Sequence, residues 1–280
     1  MRRGWWAALV VLICLAGAYP AWVYARASAV LHHRYPLPQS VALPKAGPEG
    51  LARGRRLAVI YGCTDCHGDD LRGRPYSHPD PFLQVTSANL TLKARRYSDA
   101  DFDRVIRQGV MPSGESVEFM PSNAFVHMSD EDVSAIVAYL RSLPPGGQDP
   151  PAWRRGWKAM RALASGAFPP GQALMTQARG LAPKDMGPQV EAGRRLASVA
   201  CVECHGGDLK GARGGPPDLA IAGAYDPGDF HRLLRTGVAA GGRQVGMMSA
   251  VARKRFSSLT DVEIEAIRTY LVARANAPTV

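Results

Sequence analysis

Cys63-Thr64-Asp65-Cys66-His67 decides how this chain is read, together with its second copy, Cys201-Val202-Glu203-Cys204-His205. In a C-x-x-C-H segment two thiols lie close enough to form thioether bonds to the two vinyl groups of one haem. The adjacent histidine then stands beneath the iron as proximal ligand. Two copies, each followed by glycine, in a chain of 280 residues with five cysteines form a specific signal. Zinc would want four ligands, and neither copy has a second cysteine pair nearby. The fifth cysteine, Cys14, lies in an apolar stretch, so no pair is left for a disulfide. The bound groups must staple domains too small to rely on a core alone.

The second copy belongs to an internal repeat. Gly54-Arg55-Arg56-Leu57-Ala58 recurs as Gly193-Arg194-Arg195-Leu196-Ala197. Asp70-Leu71-Arg72-Gly73 matches Asp208-Leu209-Lys210-Gly211, and the run from Asp101 to Val110 matches that from Asp229 to Val238. Ser129 to Leu140 matches Thr260 to Leu271. A repeat of this extent argues for two domains of one fold. Apolar positions at helical spacing predict a helix ahead of the first motif and another over Ser98–Val110, stopped by Gly109. Ser129 and Thr260 are good N-caps, with Asp132 and Glu263 in the capping-box position. The expected fold class is all-α, with domains at 48–145 and 188–276. Between them, 146–187 is a Pro-containing connector whose tryptophans, Trp153 and Trp157, are expected to fill the seam between the domains. The alternative for that stretch is a docking surface for a partner subunit or a membrane interface.

A sixth iron ligand is needed unless the iron binds substrate, and methionine is a soft thioether donor. Counted from the Gly-Val pairs that end the matched helices, Met120 and Met248 stand at the same offset. Met111 falls opposite Ala239, which cannot ligate, and Met128 opposite Leu259, a core-like position. Met120 and Met248 are therefore the expected ligands opposite His67 and His205, with Met247 open as an alternative to its neighbour. His78, His127 and His231 can ligate in principle, although His231 faces Asp103 in the repeat, which suggests a surface position. Asn89, in the loop after the first motif, is a candidate for contact with a propionate.

At the amino terminus, Met1-Arg2-Arg3-Gly4 precedes a run from Trp5 to Ala25 with no charge until Arg26. Such a run can span a hydrocarbon core, and Trp5, Trp6, Trp22 and Tyr24 lie at its ends, where aromatic belts form. Residues 1–27 thus read as a transmembrane anchor and 28–47 as a linker leaving it. A cleaved signal peptide, with Ala25-Arg26-Ala27 as the cleavage site, is the competing reading. Hydrophobic content of 46% and charged content of 21% suit a folded protein, and the formal net charge is +10. That balance can steer an acidic redox partner or sit near anionic lipid. The arginines are scattered and form no block, which speaks against nucleic acid.

These features resemble the class I c-type cytochrome family, specifically its membrane-anchored two-haem (dihaem) bacterial members. The resemblance rests on a helix before each CxxCH, and on a methionine loop before a capped helix ending Ala-Tyr-Leu or Thr-Tyr-Leu. It implies two tandem class I cytochrome c domains after one N-terminal transmembrane helix, and two covalently bound haem c groups. Cys63, Cys66, Cys201 and Cys204 would carry the haems. His67 with Met120 would hold one iron, and His205 with Met248 the other. The absent proline after Met248 departs from the commonest pattern. The implied role is electron relay in a bacterial respiratory chain, as a membrane-bound carrier or as the electron-transfer subunit of a dehydrogenase or oxidase complex. The implied partners are redox proteins or respiratory complexes, with no catalysis by the chain itself. The implied location is the bacterial inner membrane, single-pass, with the haem domains on the periplasmic side. The alternative is a dihaem enzyme such as a peroxidase or a thiosulfate-oxidising enzyme. Such an enzyme needs an open or labile iron, and the two matched methionines argue against one.

Overall fold

The computed structural model describes residues 2–39, 41–77, 82–151 and 153–277, with the side chains of 2–4 and 7–16 outside that description. Helix α1 runs over Arg2–Leu31. The first half follows with α2 (Pro48–Ile60), α3 (Cys63–His67), strands β1 (Pro75–Ser77) and β2 (Leu83–Thr86), α4 (Leu90–Arg96), α5 (Asp99–Asp103) and α6 (Asp130–Ser142). The connector contributes strand β3 (Arg154–Arg155), α7 (Trp157–Ser165) and α8 (Gly171–Gly180). The second half holds α9 (Glu191–Ala200), α10 (Val202–His205), α11 (Pro227–Thr236), α12 (Met247–Lys254) and α13 (Asp261–Ala275).

Each half is built on one helix crossing, α2 on α6 and α9 on α13. The repeated glycine explains how close these helices come. A Cβ on Gly54 would sit 1.9 Å from the Ala135 carbonyl oxygen, and one on Gly193 would sit 2.0 Å from that of Ala266. Only a residue without a side chain lets the backbones meet there. The caps are those the sequence predicts. Ser129 accepts from the Asp132 N–H, and Thr260 with Glu263 forms a reciprocal capping box. The Asp132 carboxylate turns inward instead, taking hydrogen bonds from Arg53 (2.5 Å) and from the Tyr61 hydroxyl (2.9 Å). The run after Ser98 begins as α5 behind a capping box, continues as one π-helical turn over Arg104–Gln108, and stops at Gly109 with φ +67°. The helix-rich architecture carries one small antiparallel sheet, ordered β1-β2-β3, that the all-α expectation lacks.

Several expectations need correction. Among the described residues, no helix is long and apolar enough to cross a membrane. This overturns the transmembrane anchor at 1–27, the single-pass inner-membrane placement, the membrane-bound carrier and the membrane as a partner. The physical reason is visible in the C-terminal half of α1, which is packed on protein. Val23 and Ala27 are buried against Leu163 and Ala164 of α7, and Tyr19 meets Trp157 edge-on at 6.0 Å. The helix also continues past Arg26 to Leu31, into what reads as linker. The expected seam-filling role of the connector's tryptophans is also not met. Trp153 donates its indole N–H to the Thr86 carbonyl at 3.1 Å, and β3 extends the sheet of the first half.

The two halves nevertheless share one hydrophobic core, which runs without a break from Leu57, Ile60 and Val133 to Leu196, Ile264 and Tyr270. Ion pairs cross the seam. Arg56 of α2 donates both terminal nitrogens to Glu263 of α13, at 2.7 and 3.0 Å. The matched arginine of the repeat, Arg195, lies 3.8 Å from Glu131 of α6.

Candidate functional site

The CxxCH segments form the short helices α3 and α10, entered through a left-handed Gly62 in one half and directly from α9 in the other, and both hold their histidines alike. His67 donates Nδ1–H to the Ala88 carbonyl at 2.7 Å, and His205 donates Nδ1–H to the Pro217 carbonyl at 2.8 Å. With Nδ1 fixed as donor, the lone pair lies on Nε2, the tautomer a metal ligand needs. Burial lowers the His67 pKa against the opposing effect of the Ala88 bond, which favours the neutral ring. The turn after each histidine is also duplicated. Gly73 N–H bonds to the His67 carbonyl at 2.8 Å and Gly211 N–H to that of His205 at 2.7 Å. Leu71 and Leu209 both hold a left-handed backbone, with φ of +58° and +63°, and both are fully buried. A left-handed leucine costs about 1–2 kcal/mol. Its repetition marks a constraint that burial of the side chain offsets.

Burial, with the second thiol of each pair adding to it, pushes Cys63 and Cys201 up to about 12. Cys66 and Cys204 are raised as well, again by burial first. Among the described residues, no three His, Cys, Asp or Glu side chains gather as a metal cluster. The donor chemistry is therefore two thiols and one imidazole with a free Nε2 per segment, beside apolar surface, and it fits covalent haem.

The methionines separate by environment. Met120 and Met248 are partly buried and pack against the shared core, as do Cys63 and Cys201. Met247 points outward at 76% exposure, and Met128 is buried in the core. In the second half the expected methionine loop is instead the first turn of α12, which holds Met248 and Ser249. There Ser249, in place of proline, is fully buried, and its hydroxyl donates to the Gly237 carbonyl (2.5 Å) and accepts from Val245 N–H (2.8 Å). Beside Met120, Ser122 donates to the Val105 carbonyl at 2.7 Å. His127 bonds to the Leu181 carbonyl and His231 to Asp261, both through Nε2 at 3.0 Å. His78 lies outside the described residues. Asn89 is no propionate contact: it caps α4 and donates to the Gly146 carbonyl, fully buried.

The residues between the cysteines bring the two segments together. Arg255, following α12, donates Nε–H to Asp65 at 2.5 Å and Nη1–H to Glu203 at 2.9 Å. The Lys254 ammonium is 2.9 Å from the other Asp65 oxygen. Burial alone would raise the Asp65 carboxyl, and the bonds from Lys254 and Arg255 outweigh it, holding the group below its usual range. Sequence reasoning misses both this arginine and the two carbonyls that orient the histidines. The one signal was the acidic residue at the same place in each motif.

The chain is similar to several curated proteins. The chain is 24% identical over 272 residues to the fructose dehydrogenase cytochrome subunit of Gluconobacter japonicus, covering 84% of this chain and 54% of that one. It is 24% identical over 270 residues to a diheme cytochrome c-type protein of Cereibacter sphaeroides, covering 81% and 86%. It is 32% identical over 110 residues to a nicotinate dehydrogenase subunit of Pseudomonas putida, covering 36% and 9%. The chain thus spans about half the length of the fructose dehydrogenase subunit and under a tenth of the nicotinate dehydrogenase one. The cytochrome c family model matches it twice, over residues 51–144 and 190–274. With one match laid over each CxxCH segment and its helix crossing, the chain belongs to the cytochrome c family and carries two covalently bound haem c groups.

Proposed function

We propose that this chain is the electron-transfer subunit of a dehydrogenase or oxidase complex, with one haem in each half. Its domains are taken as 48–145 and 188–276, joined by 146–187. Cys63, Cys66, Cys201 and Cys204 carry the haems, His67 and Met120 hold one iron, and His205 and Met248 the other. When bound, the group supplies a one-electron couple whose potential is set by axial ligation, hydrogen bonding and burial. The chain's own residues do the rest. The Ala88 and Pro217 carbonyls hold the two imidazoles in one tautomer and orientation, Ser122 ties the Met120 loop to Val105, and Ser249 ties the first turn of α12 to Gly237.

The observation that carries this reading is the duplicated arrangement of cysteine pair, carbonyl-held histidine and core-packed methionine within one core. The relatives named as cytochrome subunits of fructose dehydrogenase and quinone-linked alcohol dehydrogenase, and as the CcoP subunit of a cbb3-type oxidase, support the complex. Those homologies make the chain a non-catalytic electron carrier, and the peroxidase or thiosulfate-oxidising alternative draws no support from them. A carbon monoxide titration of the reduced protein tests the ligation, since two fixed ligands per iron predict no rapid binding. Stoichiometric rapid binding at either haem overturns the proposal. Purification under gentle conditions is expected to retain a larger redox partner subunit.

A further inference from the structure

We propose that Arg255 is a positioning residue that holds the two haem-carrying segments at a fixed separation for electron transfer between them. The inference rests on reading both CxxCH segments as haem attachment loops. Asp65 and Glu203 occupy the same place in the two motifs, the residue before the second cysteine. One guanidinium bonds to both, at 2.5 and 2.9 Å, and its side chain is only 15% exposed. The attachment loops are therefore one side chain apart. Gly62, just before Cys63, leaves the space for this. A Cβ there would lie 2.5 Å from the Arg255 guanidinium carbon.

The arginine is single although the two acids it meets are duplicated. At the same offset from the methionine, the first half has His127, which is engaged with Leu181. Flanking the arginine, Arg56 meets Glu263 and Arg195 approaches Glu131, each from one half to the other. The two halves thus meet in roughly mutual fashion, with Arg255 between the equivalent acids. A planar fork with several donors can serve two carboxylates at once, which an ammonium cannot do with fixed geometry. Without it, Glu203 would lose the arginine and Asp65 would keep only Lys254, leaving two acids near each other across a part-buried seam with one cation between them. Electron transfer falls steeply with separation, so a clamp at this point acts on the rate without touching either iron.

The test uses the full-length, haem-loaded protein and two readouts. Pulsed dipolar EPR on the oxidised protein gives the haem–haem distance distribution. Laser photoreduction gives the rate of electron equilibration between the haems. In R255L, and in the double variant D65N/E203Q, the distribution is expected to broaden and the rate to fall about tenfold or more. Both variants should keep two haems by mass and a wild-type absorption spectrum. R255K, which retains charge but not the fork, is expected to fall in between. A wild-type distance distribution or a wild-type rate in R255L or in D65N/E203Q overturns the proposal. So does slowing that appears only where haem absorption is lost. Fewer than two covalent haems on the wild-type chain would instead overturn the reading of the segments themselves.

Discussion

Met247 and Met248 are neighbours in sequence and opposites in environment, the first exposed and the second packed on the core. Met247→Leu is therefore expected to leave the absorption spectrum and potential unchanged. Met248→Leu is expected to abolish one half of the long-wavelength sulfur-to-iron band and to lower one potential, read by spectroelectrochemistry. Ser249 does by hydrogen bonding what proline does by ring geometry after Met120. Ser249→Ala leaves the Val245 N–H without its partner, and should cost about 1–3 kcal/mol in denaturant unfolding followed at the haem. At this scale the sequence announced the sulfurs and imidazoles, because the chemistry demands those side chains at that spacing. The Ala88 and Pro217 carbonyls were not legible, since a backbone acceptor leaves no trace in residue identity. Arg255 was hidden for a different reason: it stands 190 residues from Asp65 in sequence.

At the scale of elements, Gly54 and Gly193 set the approach of α2 to α6 and of α9 to α13. Gly54→Ala or Gly193→Ala forces a methyl group into a carbonyl oxygen. Each is expected to destabilise the protein by about 1–3 kcal/mol, since overpacking outweighs the gain in helix propensity. Chemical denaturation of the haem-loaded protein, followed by haem absorption, checks this. The helices and their caps were readable because periodicity and capping are local properties. The strands were not. β1, β2 and β3 are two to four residues long, too short to show alternation, and β3 pairs with β2 only after α4, α5 and α6 have intervened. For α1 the apolar run was plain, but its partner α7 lay in a connector with no obvious pattern. A helix face buried on protein and one bathed in lipid look alike in composition.

For the whole molecule, one core and several ion pairs cross between the halves, so unfolding should be a single cooperative transition by calorimetry. Arg56→Gln removes a part-exposed pair and is expected to cost about 1 kcal/mol. The pair also carries a pH signature. Burial raises the Glu263 carboxyl and the Arg56 bond outweighs it, so its folded pKa lies below the ordinary 4.5. Its contribution is then complete above that value and is lost as pH falls through the depressed one. The stability gap between wild type and Glu263→Gln should narrow on acidification below about pH 4.5, as measured by denaturant midpoints. The repeat made two domains legible, but their mutual packing was not, because Arg56 and Glu263 are 207 residues apart. The unbroken core has a kinetic consequence for any complex that holds this chain. Neither half can swing out on a tether to collect charge and carry it elsewhere. Haem-to-haem transfer then proceeds across this fixed contact rather than by a domain excursion.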